Sequence, residues 1–148
     1  MIQQGLVAVL GLVLLSGGGC SRGIQWRGLT FDPVHADARR DNKLTFVYFR
    51  HWAVIACTSF EENVLMSPRV LEALQSPGSF YAVVLDAYAD RALARDWGIE
   101  DPPGVVVLDP KGRVLAVLSG KITIEELASA LERAVAAYPA ASQPARAP

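Results

Sequence analysis

YFRHWAVIACTSFEENVL (residues 48–65) holds the end of a strand, a junction and the start of a helix. Tyr48 and Phe49 close the run LTFVYF (44–49), whose β-branched and aromatic side chains read as a central, buried strand. From about residue 55 to 66 the pattern turns helical. Phe60, Val64 and the Cys57 side share one face, and Glu61 and Glu62 face outward. Between the two elements lie Arg50, His51, Trp52, Ala53 and Val54, with a single thiol just inside the helix.

Outward from that junction, strand and helix patterns alternate. IQWRGLTF reads as a short first strand. DPVHADARRDNK follows as a helix with Asp32 as N-cap and Pro33 at the first helical position, ended by Asp41-Asn42. After the junction helix, Ser67 caps a second short helix, SPRVLEALQ, and SPGS (76–79) is a turn. FYAVVLD (80–86) is a second central strand, and DRALARDWGI a short helix running into the loop EDPPG. VVVLD (105–109), the turn PKG and RVLAVLSG (113–120) form a hairpin. TIEELASALERAVAAY (123–138) is the best helix, with Leu127, Leu131 and Val135 spaced by four. The order β-α-β-α-(α)-β-α-β-β-α implies an α/β fold with a central mixed sheet flanked by helices, its middle βαβ unit parallel. Residues 139–148 are rich in Pro and Ala and read as a disordered tail.

The 148 residues suffice for one domain, here 24–138, with a core of its own. Before it, residues 1–19 contain no charged side chain, and the apolar run Leu6–Leu15 has the length of a signal-peptide core and is short for a membrane span. It stops at SGGGC. Small residues before a cysteine resemble a bacterial lipobox, so that 1–19 would be a signal peptide and Cys20 a lipidated N-terminus on a short tether, 20–23. The match is partial: Gly17 stands where Leu is usual, and no Lys or Arg precedes the apolar run. Ordinary cleavage with soluble release and an uncleaved anchor are the alternatives. Export implies an oxidising compartment. With Cys20 lipidated, Cys57 is the sole remaining thiol; a Cys20–Cys57 disulfide requires Cys20 to be free. All charge lies beyond the signal, the net is −1, and no basic cluster occurs, which argues against a nucleic-acid partner.

The element order and its junction residues resemble the thioredoxin fold, and more narrowly the exported thioredoxin-like proteins whose signature runs YF…WCxxCKxxE…V(L/F)SDPxV. Here YF (48–49) is followed by CTSFEENVLMSPRV, and farther on VVLDAYADRALARDWGIEDPPGVVVLDPKGRV is similar to the family's VKVDVDExxxLAxxYGVxGxPTxVFLDxxGxxV. The likeness covers roughly residues 24–138. It implies a helix N-terminus that favours thiolate, an attacking cysteine there, a resolving cysteine one turn on, and a cis-proline on the facing loop beside which a substrate backbone pairs like a strand. Carried over, Cys57 matches the resolving cysteine. The attacking one falls on Val54, or on Ala53 if Trp52 is aligned with the family's tryptophan; either way that thiol is absent. Pro103 matches the cis-proline, but Pro102 before it has no N–H to offer a substrate backbone. Tyr48 occupies the position at which many relatives keep a buried acid. In the peroxidase pattern P-x-x-x-(T/S)-x-x-C, the supporting positions hold Arg50 and Val54.

Each of these residues also has a plain reading. Cys57 is expected to be a small, shielded, inert residue, with a single-thiol site as the alternative. His51 reads as an exposed loop residue. Trp52 is either an anchor for a partner or a lid over the groove. Trp26 and Trp97 read as core or boundary aromatics, and Asp86 and Asp109 as structural. No H-x-x-x-H or C-x-x-C spacing occurs, so no metal and no cofactor is expected. The expectation is a non-catalytic binding or assembly factor of the cell envelope, gripping a protein or peptide with a groove of residues 50–57 and 101–104 (His51, Trp52, Val54, Pro102, Pro103). The alternative is a single-thiol reductase, isomerase or peroxidase working through Cys57.

Overall fold

The computed structural model describes residues 23–75 and 78–144. The expected signal segment 1–19 and the lipidated Cys20 lie outside the described residues. The elements are β1 (Trp26–Gly28), α1 (Phe31–Arg40), β2 (Leu44–Arg50), α2 (Ile55–Phe60), α3 (Pro68–Gln75), β3 (Phe80–Asp86), α4 (Arg91–Asp96), β4 (Gly104–Leu108), β5 (Val114–Ser119) and α5 (Ile124–Ala137). The strands make one mixed sheet in the order β1-β3-β2-β4-β5. β2 runs parallel to β3, with Leu44 opposite Phe80 and Arg50 opposite Asp86, and antiparallel to β4, with Phe49 opposite Gly104. This is the architecture implied by the thioredoxin likeness.

Burial follows the two-residue period of the strands. Leu44, Phe46, Tyr48, Val105 and Val107 face one side, against Phe60, Val70, Leu127 and Leu131. Val47, Phe49, Val83, Leu85, Val106 and Leu108 face the other, against Val34, Ala94 and Ile99. Covered on both faces, β2 is buried from Leu44 to Phe49, as its unbroken apolar run requires. Trp97 meets Phe31 and Phe49 edge-on at the core boundary, while Trp26 stacks on Tyr48 with ring centroids 6.0 Å apart. Gly104 opens β4 because nothing larger fits: a Cβ there would lie 2.6 Å from the Ile99 methyl.

Four details correct the sequence reading. First, α1 begins at Phe31, with Thr30 rather than Asp32 at the cap position. Second, the junction helix is not uniform. After Phe60 it widens into a π turn, Glu61–Leu65, in which the Met66 N–H bonds to the Glu61 carbonyl. Third, Glu61 does not face outward: its Oε1 accepts from the Tyr48 hydroxyl at 2.9 Å and from Arg50 Nε at 2.6 Å. Donors at the end of β2 outweigh the helical-wheel expectation. Fourth, the tail is ordered at its start. Pro139–Ser142 form a 3₁₀ turn, Ala141 is fully buried, and the Lys43 ammonium donates to the carbonyls of Ala141 and Gln143 at 2.6 Å each. A proline-rich composition did not reveal that a buried lysine waits for those two carbonyls. Residues 145–148 of that tail lie outside the described residues.

Candidate functional site

The site is built where β2, β3 and β4 meet at one end of the sheet. Arg50 ends β2 and hands the chain to a turn, His51–Val54, closed by a bond from the Val54 N–H to the His51 carbonyl. Val54 then stands at the cap position of α2 in extended conformation, and its carbonyl accepts the Cys57 N–H at 3.0 Å. The mouth of the helix, where backbone N–H groups would favour an anion, therefore carries an isopropyl group.

Cys57 lies one turn in and is fully buried, a free thiol beneath the sheet-facing side of α2. Above it sits a polar knot. Burial, reinforced by the adjacent Glu61, raises the Tyr48 phenol far above its ordinary value, while Glu61 raises the Arg50 guanidinium. Tyr48 is thus a fixed hydrogen-bond donor at the position where an acid would stand in a relative. Arg50 is committed to Glu61 rather than to the thiol.

His51 is half-buried rather than exposed, a correction to its reading as a surface loop residue. Its Nδ1 lies 3.4 Å from Asp86 Oδ2, and its ring meets Tyr88 edge-on with centroids 4.2 Å apart. Asp86 also accepts the N–H groups of Tyr88 and Ala89 at 2.9 Å each. The Ala89 N–H is the chief cause that holds this carboxyl below its usual range, against opposing desolvation. Asp86 thereby ties the β2 turn to the β3–α4 loop. Asp109 works likewise at the other end of the sheet, accepting from Lys111 N, Arg113 N and Arg113 Nε.

Trp52 stands out into solvent on the rim of the junction. It is 78% exposed, its ring centroid 5.6 Å from that of His51, and Ile55 beside it is 85% exposed. Tyr88, 56% exposed, extends the same rim. Facing it, the Pro102–Pro103 peptide bond is cis. Pro103 is buried; its carbonyl accepts the Gly120 N–H at 2.9 Å.

The expected groove is only partly assembled. An open crevice of about 270 Å³ runs between α2 (Ala56, Ser59) with the π turn that follows it (Asn63) and Pro102, Pro103, Gly120 and Lys121. His51, Trp52 and Val54 stand outside its walls, on the rim. Gly120, Lys121 and Asn63 were not anticipated: the turn SGK (119–121) carries no chemistry by itself, and Asn63 lies within the junction helix pattern with no signal of its own. Among the described residues no group of three His, Cys, Asp or Glu side chains converges to hold a metal.

Comparison with solved structures agrees with the architecture. A thioredoxin from Thermus thermophilus superposes with a TM-score of 0.67 at 22% identity, over 81% of this chain and 95% of that one. A DsbH oxidoreductase gives 0.57 at 15% identity, over 75% and 88%. The oxidised C-terminal domain of Neisseria meningitidis DsbD gives 0.54 at 22%, over 68% and 89%. At such identities the likeness concerns the fold. No curated protein matches the sequence. Residues 31–135, from the first residue of α1 to within two residues of the end of α5, match the family described as the thioredoxin-like domain. With that match over more than half of its length and the sheet order in agreement, the chain belongs to the thioredoxin-like domain family.

Proposed function

We propose that this protein is an exported, lipid-tethered member of its family that binds a protein or peptide in the cell envelope and performs no dithiol exchange of its own. One observation carries the reading. At the junction where a relative would hold its attacking thiol there is Val54, and the single thiol nearby, Cys57, has no exposed surface. Dithiol exchange needs a thiolate that a substrate disulfide can reach. The same rim presents Trp52 and Ile55 almost wholly to water, which costs solubility unless something covers them. Aromatic side chains of this kind are common anchors of protein interfaces. Export and attachment at Cys20 rest on the uncharged apolar leader and the SGGGC stop.

The purified chain is expected not to reduce insulin disulfides in the presence of dithiothreitol, measured by turbidity beside a dithiol thioredoxin. Sustained turnover comparable to that thioredoxin would overturn the reading. A slow rate abolished by Cys57→Ser would replace it with a single-thiol enzyme.

A further inference from the structure

The helix that carries Cys57 has two flanks, and the crevice beside Pro103 uses one of them. On the other flank lies an open pocket of about 300 Å³. Its apolar walls are Ile24 just before β1, Trp26 within it, Val84 of β3, and Leu65 and Met66 at the end of the π turn. Pocket and crevice share no lining residue, and Trp52 lines neither. Trp26 and Met66 are exposed in the free protein, and the Trp26 ring is held in place by its stack on Tyr48.

Three polar groups complete the lining: Tyr48, Arg50 and Glu61. They meet at one atom, Glu61 Oε1, which accepts from the Tyr48 hydroxyl and from Arg50 Nε. Among the described residues no hydrogen bond reaches Glu61 Oε2, and only Nε of the guanidinium, which has five N–H donors, is engaged with the carboxylate. The pocket thus offers a donor and an acceptor side by side, with no net charge. The π turn assembles them with the apolar wall. At about 100° per residue, an α-helix would set residue 66 about 140° around the axis from residue 61. The bond from the Met66 N–H to the Glu61 carbonyl widens that turn and brings both side chains to the same pocket. Turns of this kind are rare and recur at functional sites.

We propose, resting on the reading above that the partner is a protein or peptide, that this pocket takes one aromatic side chain of that partner, whose adjoining peptide unit bridges Arg50 and Glu61. The volume stands at the small end of ligand pockets and suits a single ring between Trp26 and Met66. Charge selects the group beside the ring. A lone carboxylate drawn to Arg50 is repelled by Glu61, and a lone ammonium drawn to Glu61 is repelled by Arg50. A neutral amide donates its N–H to the carboxylate, accepts from the guanidinium and meets neither repulsion. The pocket is a second contact, separate from the Trp52 rim.

The purified, isotope-labelled chain is titrated with N-acetyl-phenylalaninamide, N-acetyl-phenylalanine and free phenylalanine, read by NMR. The capped amide is expected to saturate below about 10 mM. It should move the Met66 methyl, the Trp26 indole N–H and the Arg50 Nε–H, and leave the Trp52 indole N–H in place. The carboxylate and the zwitterion are expected to bind at least about tenfold more weakly. Met66→Glu, a charge at an exposed position of the wall, should abolish the shifts without moving the β2 amides. No saturation, shifts centred on Trp52, or shifts that survive Met66→Glu would overturn the pocket. Equal or tighter binding of either charged form would overturn the peptide assignment. The partner reading itself is decided elsewhere, by the insulin assay, whose outcome does not depend on this pocket.

Discussion

Trp52, Val54 and Cys57 lie within six residues of one another and divide the functional question between them. If the rim is the binding surface, Trp52→Ala removes an anchor exposed in the free protein. Partner affinity should then fall by about 2 kcal/mol, roughly thirtyfold, while the unfolding midpoint stays unchanged, since Trp52 contributes almost no buried area. A titration of captured partner against bait, with thermal unfolding alongside, separates these effects. Val54→Cys tests the register of the junction. With the Cys57 N–H bonded to the Val54 carbonyl, the new thiol stands one turn from the old one. It should form an intramolecular disulfide under mild oxidation, seen as the loss of two titratable thiols in the unfolded chain. Two free thiols after oxidation would move the aligned position elsewhere.

Elements were more legible than side-chain directions. β2 and β3 were readable because an unbroken apolar strand between turn residues has few other fates, and α5 because its leucines recur every four residues. The missing attacking thiol was legible too, since absence at a fixed spacing needs no coordinates. The π turn was not: whether Glu61 points to solvent or to Tyr48 and Arg50 depends on donors that fold in from thirteen and eleven residues away. His51 escaped for the same reason, its partners Asp86 and Tyr88 arriving from β3 and the loop after it. The chain end gives a direct test at this scale. Lys43 is 5% exposed and donates to two carbonyls of the 3₁₀ turn. Lys43→Met should destabilise the domain by about 2 kcal/mol. Amide exchange should rise first at Ala141–Gln143 and leave the β2 amides protected.

The whole molecule should lose stability as pH falls, and two kinds of group set the course. Burial, followed by the nearby Arg39, lowers the His35 imidazole from 6.5, and its Nδ1 is 3.0 Å from the Thr45 hydroxyl. An unfolded chain binds that proton more readily, so stability declines as pH drops through the ordinary histidine value. Below it the carboxyls follow. Arg40 and Tyr81 hold Asp41 at about 2. Burial alone would push Asp109 upward, but bonds from Arg113 and Lys111 outweigh it and hold it low. Both favour folding above the ordinary carboxyl range and lose that contribution as pH falls toward their folded values. Urea unfolding between about pH 4 and pH 8 should show stability rising with pH, and His35→Gln should flatten the upper part of the curve.

The central claim, a thioredoxin-like fold without its redox chemistry, turns on whether Cys57 is ever within reach of a reagent. Native envelopes would be alkylated with a mass-tagging maleimide from about pH 5 to about pH 9, with an unfolded control and non-reducing gels in parallel. A buried, inert thiol predicts no tag on Cys57 at any of these pH values in the folded protein, full tagging after unfolding, and no reductant-sensitive adduct. Rapid tagging of the folded protein below pH 7, or a partner-sized adduct that disappears with reductant, would contradict it.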